Sequence, residues 1–206
     1  MSKAKLGILL SGRGSNFEAI AENIRNGTLE AEIACVFSNR AAAPGLTRAR
    51  ELGFATGTLD GRNMEREAYD RQVVAALKQH GVELVCLAGY MRLLSGYFVS
   101  EFPHRILNIH PSLLPAFPGL DAQYQALEHG AKVTGCTVHF VDENLDSGPI
   151  LMQAAVPVKD DDTAETLAAR ILQQEHRIYS LAIAWVLSGM YRVEGRRVIR
   201  TGPALE

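Results

Sequence analysis

Asn108 and His110 stand two residues apart in the run Asn108-Ile109-His110-Pro111-Ser112-Leu113-Leu114-Pro115, and Asp146 follows in Asn144-Leu145-Asp146-Ser147-Gly148-Pro149. On an extended segment, residues two apart share a face, so an amide and an imidazole can converge on one small polar group while Ile109 turns toward a core. Pro111 and Pro115 cannot continue a ladder or a helix, which places the pair at a strand end entering a rigid loop. Asn108 donates from its amide and His110 donates when protonated. An ionised Asp146 nearby favours the charged ring and holds it in place. Two donors and a carboxylate suit acyl transfer. A lone strand-end histidine is usually structural, but three such groups, each near proline or glycine in loops that an open sheet gathers at its carboxyl edge, weigh against that. Gly-x-Ser-x-Gly is absent and Ser112 lies between Pro111 and Leu113, so direct attack by a bound substrate is favoured over a covalent acyl-enzyme. The six histidines include no pair at metal-ligand spacing, so no metal is expected.

A second candidate is Gly12-Arg13-Gly14-Ser15-Asn16-Phe17, between the first strand and the first helix. Glycines there permit a tight turn and expose amide hydrogens at a helix N-terminus, where an anion such as phosphate is favoured. A turn that binds nothing is an equally good reading of so short a motif. Phe17 replaces the third glycine of a dinucleotide fingerprint, and the second strand ends in Ser38-Asn39-Arg40 without an acidic residue for a ribose, which disfavours nicotinamide and flavin.

These groups need a scaffold. With 206 residues, 47% of them hydrophobic and 21% charged, the chain has the composition of one ordinary globular domain with a sizeable core. A net charge of -2 and no basic cluster longer than Arg196-Arg197 argue against nucleic acid. Met1 leads directly into a strand-like run, without a signal peptide or a membrane-spanning stretch, so a soluble, cytoplasmic protein is expected. Cys35, Cys86 and Cys136 are isolated in apolar runs and are expected to be buried, reduced thiols.

Strands are expected at Lys5 to Leu10, Ala31 to Phe37, Phe54 to Leu59, Leu84 to Leu87 and Arg105 to Ile109. Helices are expected at Ser15 to Arg25 with Ser15 as N-cap, Pro44 to Leu52, Met64 to His80 and Gly96 to Glu101. The alternation predicts an α/β fold, a doubly wound, mostly parallel sheet covered on both faces. Val133 to Val141 and Pro149 to Val158 predict an antiparallel C-terminal extension, followed by a helix from Thr163 to about Leu187. A polar tail over 188–206 closes the chain as a small hairpin or a loose end, and 5–187 is the expected core of a single domain.

The motifs together resemble the glycinamide ribonucleotide formyltransferases, a folate-dependent family of purine synthesis. Ser11 to Asn16, Leu87-Ala88-Gly89-Tyr90-Met91-Arg92-Leu93-Leu94, Asn108 to Pro115, Gly135 to Val141 and Leu145 to Pro149 occur in that family's order and spacing. The resemblance implies a Rossmann-like formyltransferase fold with Asn108, His110 and Asp146 as catalytic groups. It implies that Gly14, Ser15 and Asn16 hold the phosphate of glycinamide ribonucleotide and that Glu175 meets its ribose. The co-substrate would be 10-formyltetrahydrofolate, lying against Met91, Arg92, Leu93, Leu94, Asn108 and Val141 with Arg66 near its acidic tail. From the residues alone, Glu175 is equally a solvated helix residue, the apolar positions plain core, and Arg66 a weak surface ion pair.

Ala116, Asp121 and Gln123 stand where many members carry basic residues or histidines, which bears on the loop after Pro115 but not on the trio. The nearest rival is a 10-formyltetrahydrofolate hydrolase, which passes the formyl group to water and usually carries an extra N-terminal domain. A methionyl-transfer-RNA formyltransferase usually shows an arginine-glycine step after Leu-Leu-Pro and a basic C-terminal domain, whereas Phe117-Pro118-Gly119 stands here. A non-catalytic folate- or nucleotide-binding protein is the third possibility. The partners expected are small molecules, and the sequence leaves open a monomer or a homodimer.

Overall fold

The computed structural model describes residues 3–202, which divide between Asn108 and Ile109 into two compact units. The first holds β1 (Ala4–Leu10), α1 (Ser15–Arg25), β2 (Ala31–Ser38), α2 (Pro44–Glu51), β3 (Thr56–Thr58), α3 (Arg66–Gln79), β4 (Leu84–Leu87) and α4 (Gly96–Glu101). It ends within β5 (Ile106–His110), and these five strands pair in parallel in the order β3-β2-β1-β4-β5. The chain winds outward from β1 to β3 and then crosses back to the other side of β1. The loops after β1 and β4 therefore meet at a topological switch point, the usual ligand crevice of an open α/β sheet. Three backbone-directed bonds tie them: Ala88 N to Leu9 O at 2.7 Å, Ser11 N to Gly89 O at 3.0 Å, and Met91 N to Ser11 Oγ at 2.8 Å.

All four residues of β4 are buried, as an unbroken apolar run in a parallel sheet requires. β3 is shorter than the expected Phe54 to Leu59, keeping only three residues paired to Val36, Phe37 and Ser38. The N-cap of α1 is Gly14, not Ser15. Gly14 takes a left-handed conformation (φ 80°), and a Cβ there would come within 3.0 Å of Gly45 Cα, so the turn selects glycine where a serine hydroxyl was expected to cap.

The second unit holds α5 (Ala122–Glu128), β6 (Val133–Phe140), β7 (Ile150–Pro157), α6 (Ala164–Ser188), β8 (Tyr191–Glu194) and β9 (Arg197–Arg200). β6 and β7 are antiparallel, and β8 and β9 form an antiparallel hairpin that joins β7 through Ile150 and Arg197. The polar tail thus supplies strands, and its last four residues lie outside the described ones. Thr163 caps α6 by the reciprocal box with Thr166, at 3.3 and 2.9 Å. Thr163→Ala should cost about 1 kcal/mol, read as a lowered urea midpoint with unchanged slope. No helix among the described residues is long and apolar enough to cross a membrane.

Candidate active site

β5 delivers His110 as its last residue, 5% exposed, and Asn108 two positions earlier, aligned with Leu87 of β4. Asp146 sits in the loop between β6 and β7 with φ 47°, its side chain 9% exposed. His110 Nδ1 lies 3.4 Å from Asp146 Oδ2, so the structure brings together two groups 36 positions apart in sequence. The other ring nitrogen, Nε2, lies 2.8 Å from the carbonyl oxygen of Phe117. A carbonyl and a carboxylate can only accept. Nε2 therefore carries its hydrogen toward the Phe117 carbonyl, and the Asp146 carboxylate lies beside Nδ1.

Asp146 is held from further directions. Its Oδ2 accepts from Gly119 N at 2.8 Å, and its Oδ1 lies 3.8 Å from Nε2 of His139, an almost fully buried histidine on β6. Burial holds His139 below the ordinary imidazole range, while the Phe140 carbonyl and the Asp146 charge pull the other way. Nδ1 of His139 is 2.8 Å from Phe140 O, so the ring carries its hydrogen there. Sequence reasoning missed His139. The available signal was one imidazole among the mostly apolar residues of the strand Val133–Phe140.

The loop leaving His110 is pinned by a buried hydroxyl. Thr137 Oγ1 donates to Ser112 O at 2.7 Å and accepts from Leu114 N at 3.0 Å and from Gln153 Nε2 at 2.9 Å. Ser112 Oγ donates to Ala116 O at 2.5 Å, which commits that hydroxyl to the loop. Thr137→Val keeps the shape but strands three partners. Roughly 1–3 kcal/mol of stability should be lost in a denaturation series, with a several-fold fall in turnover as the loop carrying Phe117 and Gly119 loosens.

The other sequence-predicted residues are placed as follows. Gly14, Ser15 and Asn16 open α1, whose first-turn amides have no acceptor within the helix. Glu175 lies on α6 and is buried, which removes the solvated-residue reading. Burial pushes the Cys136 thiol up to about 12, and the Glu175 carboxylate adds to that shift. Met91 and Leu93 are exposed, 54% and 51%, so they are not core, while Leu94 is. Arg92 is half-buried with its guanidinium 4.0 Å above the Tyr69 ring, Arg66 is exposed at the start of α3, and Val141 is half-buried just past β6. All three cysteines are buried free thiols. Among the described residues no cluster of three or more His, Cys, Asp or Glu is placed to hold a metal ion.

The formyl transferase family model matches residues 4–183. The chain is 46% identical over 187 residues to phosphoribosylglycinamide formyltransferase of Escherichia coli (strain K12), covering 90% of this chain and 88% of that protein. It is 47% identical over 193 residues to the trifunctional purine biosynthetic protein adenosine-3 of Gallus gallus, and the match covers 93% of this chain but only 19% of that protein. The crystal structure of glycinamide ribonucleotide transformylase 1 from Symbiobacterium toebii aligns with a TM-score of 0.94 at 52% identity, covering 97% of this chain and 95% of that one.

Proposed function

The chain belongs to the formyl transferase family, and on that premise we propose that it transfers the formyl group of 10-formyltetrahydrofolate to the primary amine of glycinamide ribonucleotide, a step of purine biosynthesis. The observation that carries this reading is the His110 ring with an acceptor against each nitrogen, one of them the buried carboxylate of Asp146. Protonated, such a ring offers a charged donor to a developing oxyanion, beside a carboxylate that favours its charge.

In the mechanism, the substrate amine attacks the formyl carbon and the carbonyl electron pair moves onto oxygen. Asn108 and the Nε2–H of His110 meet that oxyanion, the hydrogen given to Phe117 in this structure being the one offered. The ammonium formed on attack gives a proton to Asp146. As the carbon–nitrogen bond to folate breaks, Asp146 returns a proton to the departing nitrogen, so the site ends as it began.

Binding roles follow the resemblance. Gly14, Ser15 and Asn16 take the phosphate at the α1 N-terminus, and the buried Glu175 takes the ribose hydroxyls. Met91, Arg92, Leu93, Leu94, Asn108 and Val141 take the folate, with Arg66 near its acidic tail. The exposed apolar side chains of Met91 and Leu93 support this assignment. The setting proposed is the cytoplasm, with small molecules as partners.

Mixing the protein with 10-formyltetrahydrofolate, with and without glycinamide ribonucleotide, separates the readings. Consumption of the folate that requires the amine, with formylated ribonucleotide as product, is the expected result. Formate released without the amine indicates hydrolysis, and binding without consumption indicates a regulator; either overturns the proposal.

A further inference from the structure

The segment Tyr90 to Ser95, between β4 and α4, presents Met91 and Leu93 outward, and its return to the body of the first unit is fixed by two consecutive residues of α3. Tyr69 is fully buried. Its ring carries the Arg92 guanidinium at 4.0 Å, and its hydroxyl accepts from Tyr90 Oη at 3.3 Å. Asp70 is 1% exposed, and its Oδ2 accepts from Ser95 N at 2.6 Å, the backbone donor at the N-cap of α4. Its other oxygen, Oδ1, has no hydrogen-bond partner among the described residues, and neither does the buried Nε of Arg92.

A buried carboxylate with half of its acceptor capacity unused is costly and calls for an explanation. Burial pushes the Asp70 carboxyl up, opposed by the Ser95 bonds and by the charges of Arg92 and Arg66. One short bond to a backbone amide is what Asp70 supplies, and that amide ends the segment whose exposed side chains were assigned above to folate. On the strength of that assignment, we propose that Asp70 is a positioning residue for folate binding: it clamps Ser95 so that Met91 to Leu94 are held in a binding-ready conformation before the co-substrate arrives. Preorganisation of this kind is read in affinity for one substrate and not in the chemical step.

The test combines calorimetric titration with tetrahydrofolate and steady-state kinetics on both substrates for Asp70→Ala, Asp70→Asn and the exposed control Arg71→Ala. Loss of a hydrogen bond to a charged group predicts roughly a tenfold weaker tetrahydrofolate affinity and a matching rise in KM for 10-formyltetrahydrofolate in Asp70→Ala. Saturated kcat and KM for glycinamide ribonucleotide should stay within about threefold, and Asp70→Asn, whose amide oxygen still accepts from Ser95, should recover most of the affinity. Arg71→Ala should match the parent.

Should Asp70→Ala not fold, Ser95→Pro decides in its place, because it deletes the donor at a φ of -80° that proline accepts. Parent-like tetrahydrofolate affinity in the folded variant, or equal losses in both KM values and kcat, overturns the proposal. A parent protein that neither binds tetrahydrofolate nor consumes its formyl derivative refutes the function itself. A parent that does both, alongside a variant that matches it, refutes only the role of Asp70.

Discussion

Asp146→Asn should fold normally and lose turnover by roughly three orders of magnitude, the scale on which a misoriented or uncharged acid–base partner is felt. The amide keeps an oxygen for the Gly119 N–H, so the loop contact at 2.8 Å survives and the melting temperature should move by only a few degrees. What is lost is charge. His110 no longer faces a carboxylate at 3.4 Å, and the ammonium formed on attack has no acceptor of suitable basicity. The loss should fall on kcat with both KM values near the parent's, because the interaction matters most when charge develops. Near-normal kcat in a steady-state assay would remove Asp146 from the mechanism.

Gly148→Ala should damage both stability and activity. A Cβ at Gly148 would lie 1.8 Å from the Phe140 carbonyl oxygen and 2.8 Å from its carbon, and both are backbone atoms of β6 that cannot swing aside. Relief requires the loop to move away from the strand, and Asp146 is two residues upstream with a left-handed φ of 47°. Overpacking on this scale costs about 3 kcal/mol, and a displacement of about an ångström at the carboxylate costs about a hundredfold in rate. Chemical denaturation and kcat/KM should fall together. A variant with parent stability and parent rate would show that the loop tolerates the shift and that the placement of Asp146 is not tightly set by Gly148.

The contrast between these substitutions shows what sequence carries and what only packing reveals. β4 was legible to the residue because an apolar run between turns is a strong strand signal, and the bounds expected for α4, Gly96 to Glu101, are those observed. The α1 boundary was also legible, yet its cap was misassigned, since the reason for Gly14 is the approach of Gly45 from a distant turn. α5 was invisible: it has only seven residues, follows proline and glycine, and is held by Gln125 Nε2 donating to Leu120 O at 2.8 Å, a contact no periodicity encodes.

The same division runs through the site. Asn108, His110 and Asp146 stood out because polar groups near proline and glycine are unusual company. His139 did not stand out, because a histidine in a buried strand resembles any satisfied core imidazole until Asp146 is found opposite it. Nothing in the sequence marks Asp70, which is 1% exposed while Arg71 beside it is exposed.

Direct handover of the formyl group is the claim on which the rest depends. The cysteines are poor alternatives as nucleophiles, with burial pushing the Cys35 thiol up to about 11 and Cys136 to about 12, and the Ser112 hydroxyl is committed to the Ala116 carbonyl. A rapid-quench single turnover with enzyme in excess over formyl-labelled 10-formyltetrahydrofolate, in the presence of glycinamide ribonucleotide, tests it most directly. The label should pass from folate to ribonucleotide with none on the protein at any time and none in formate. Label trapped covalently on the chain, or emerging as formate, would contradict the account.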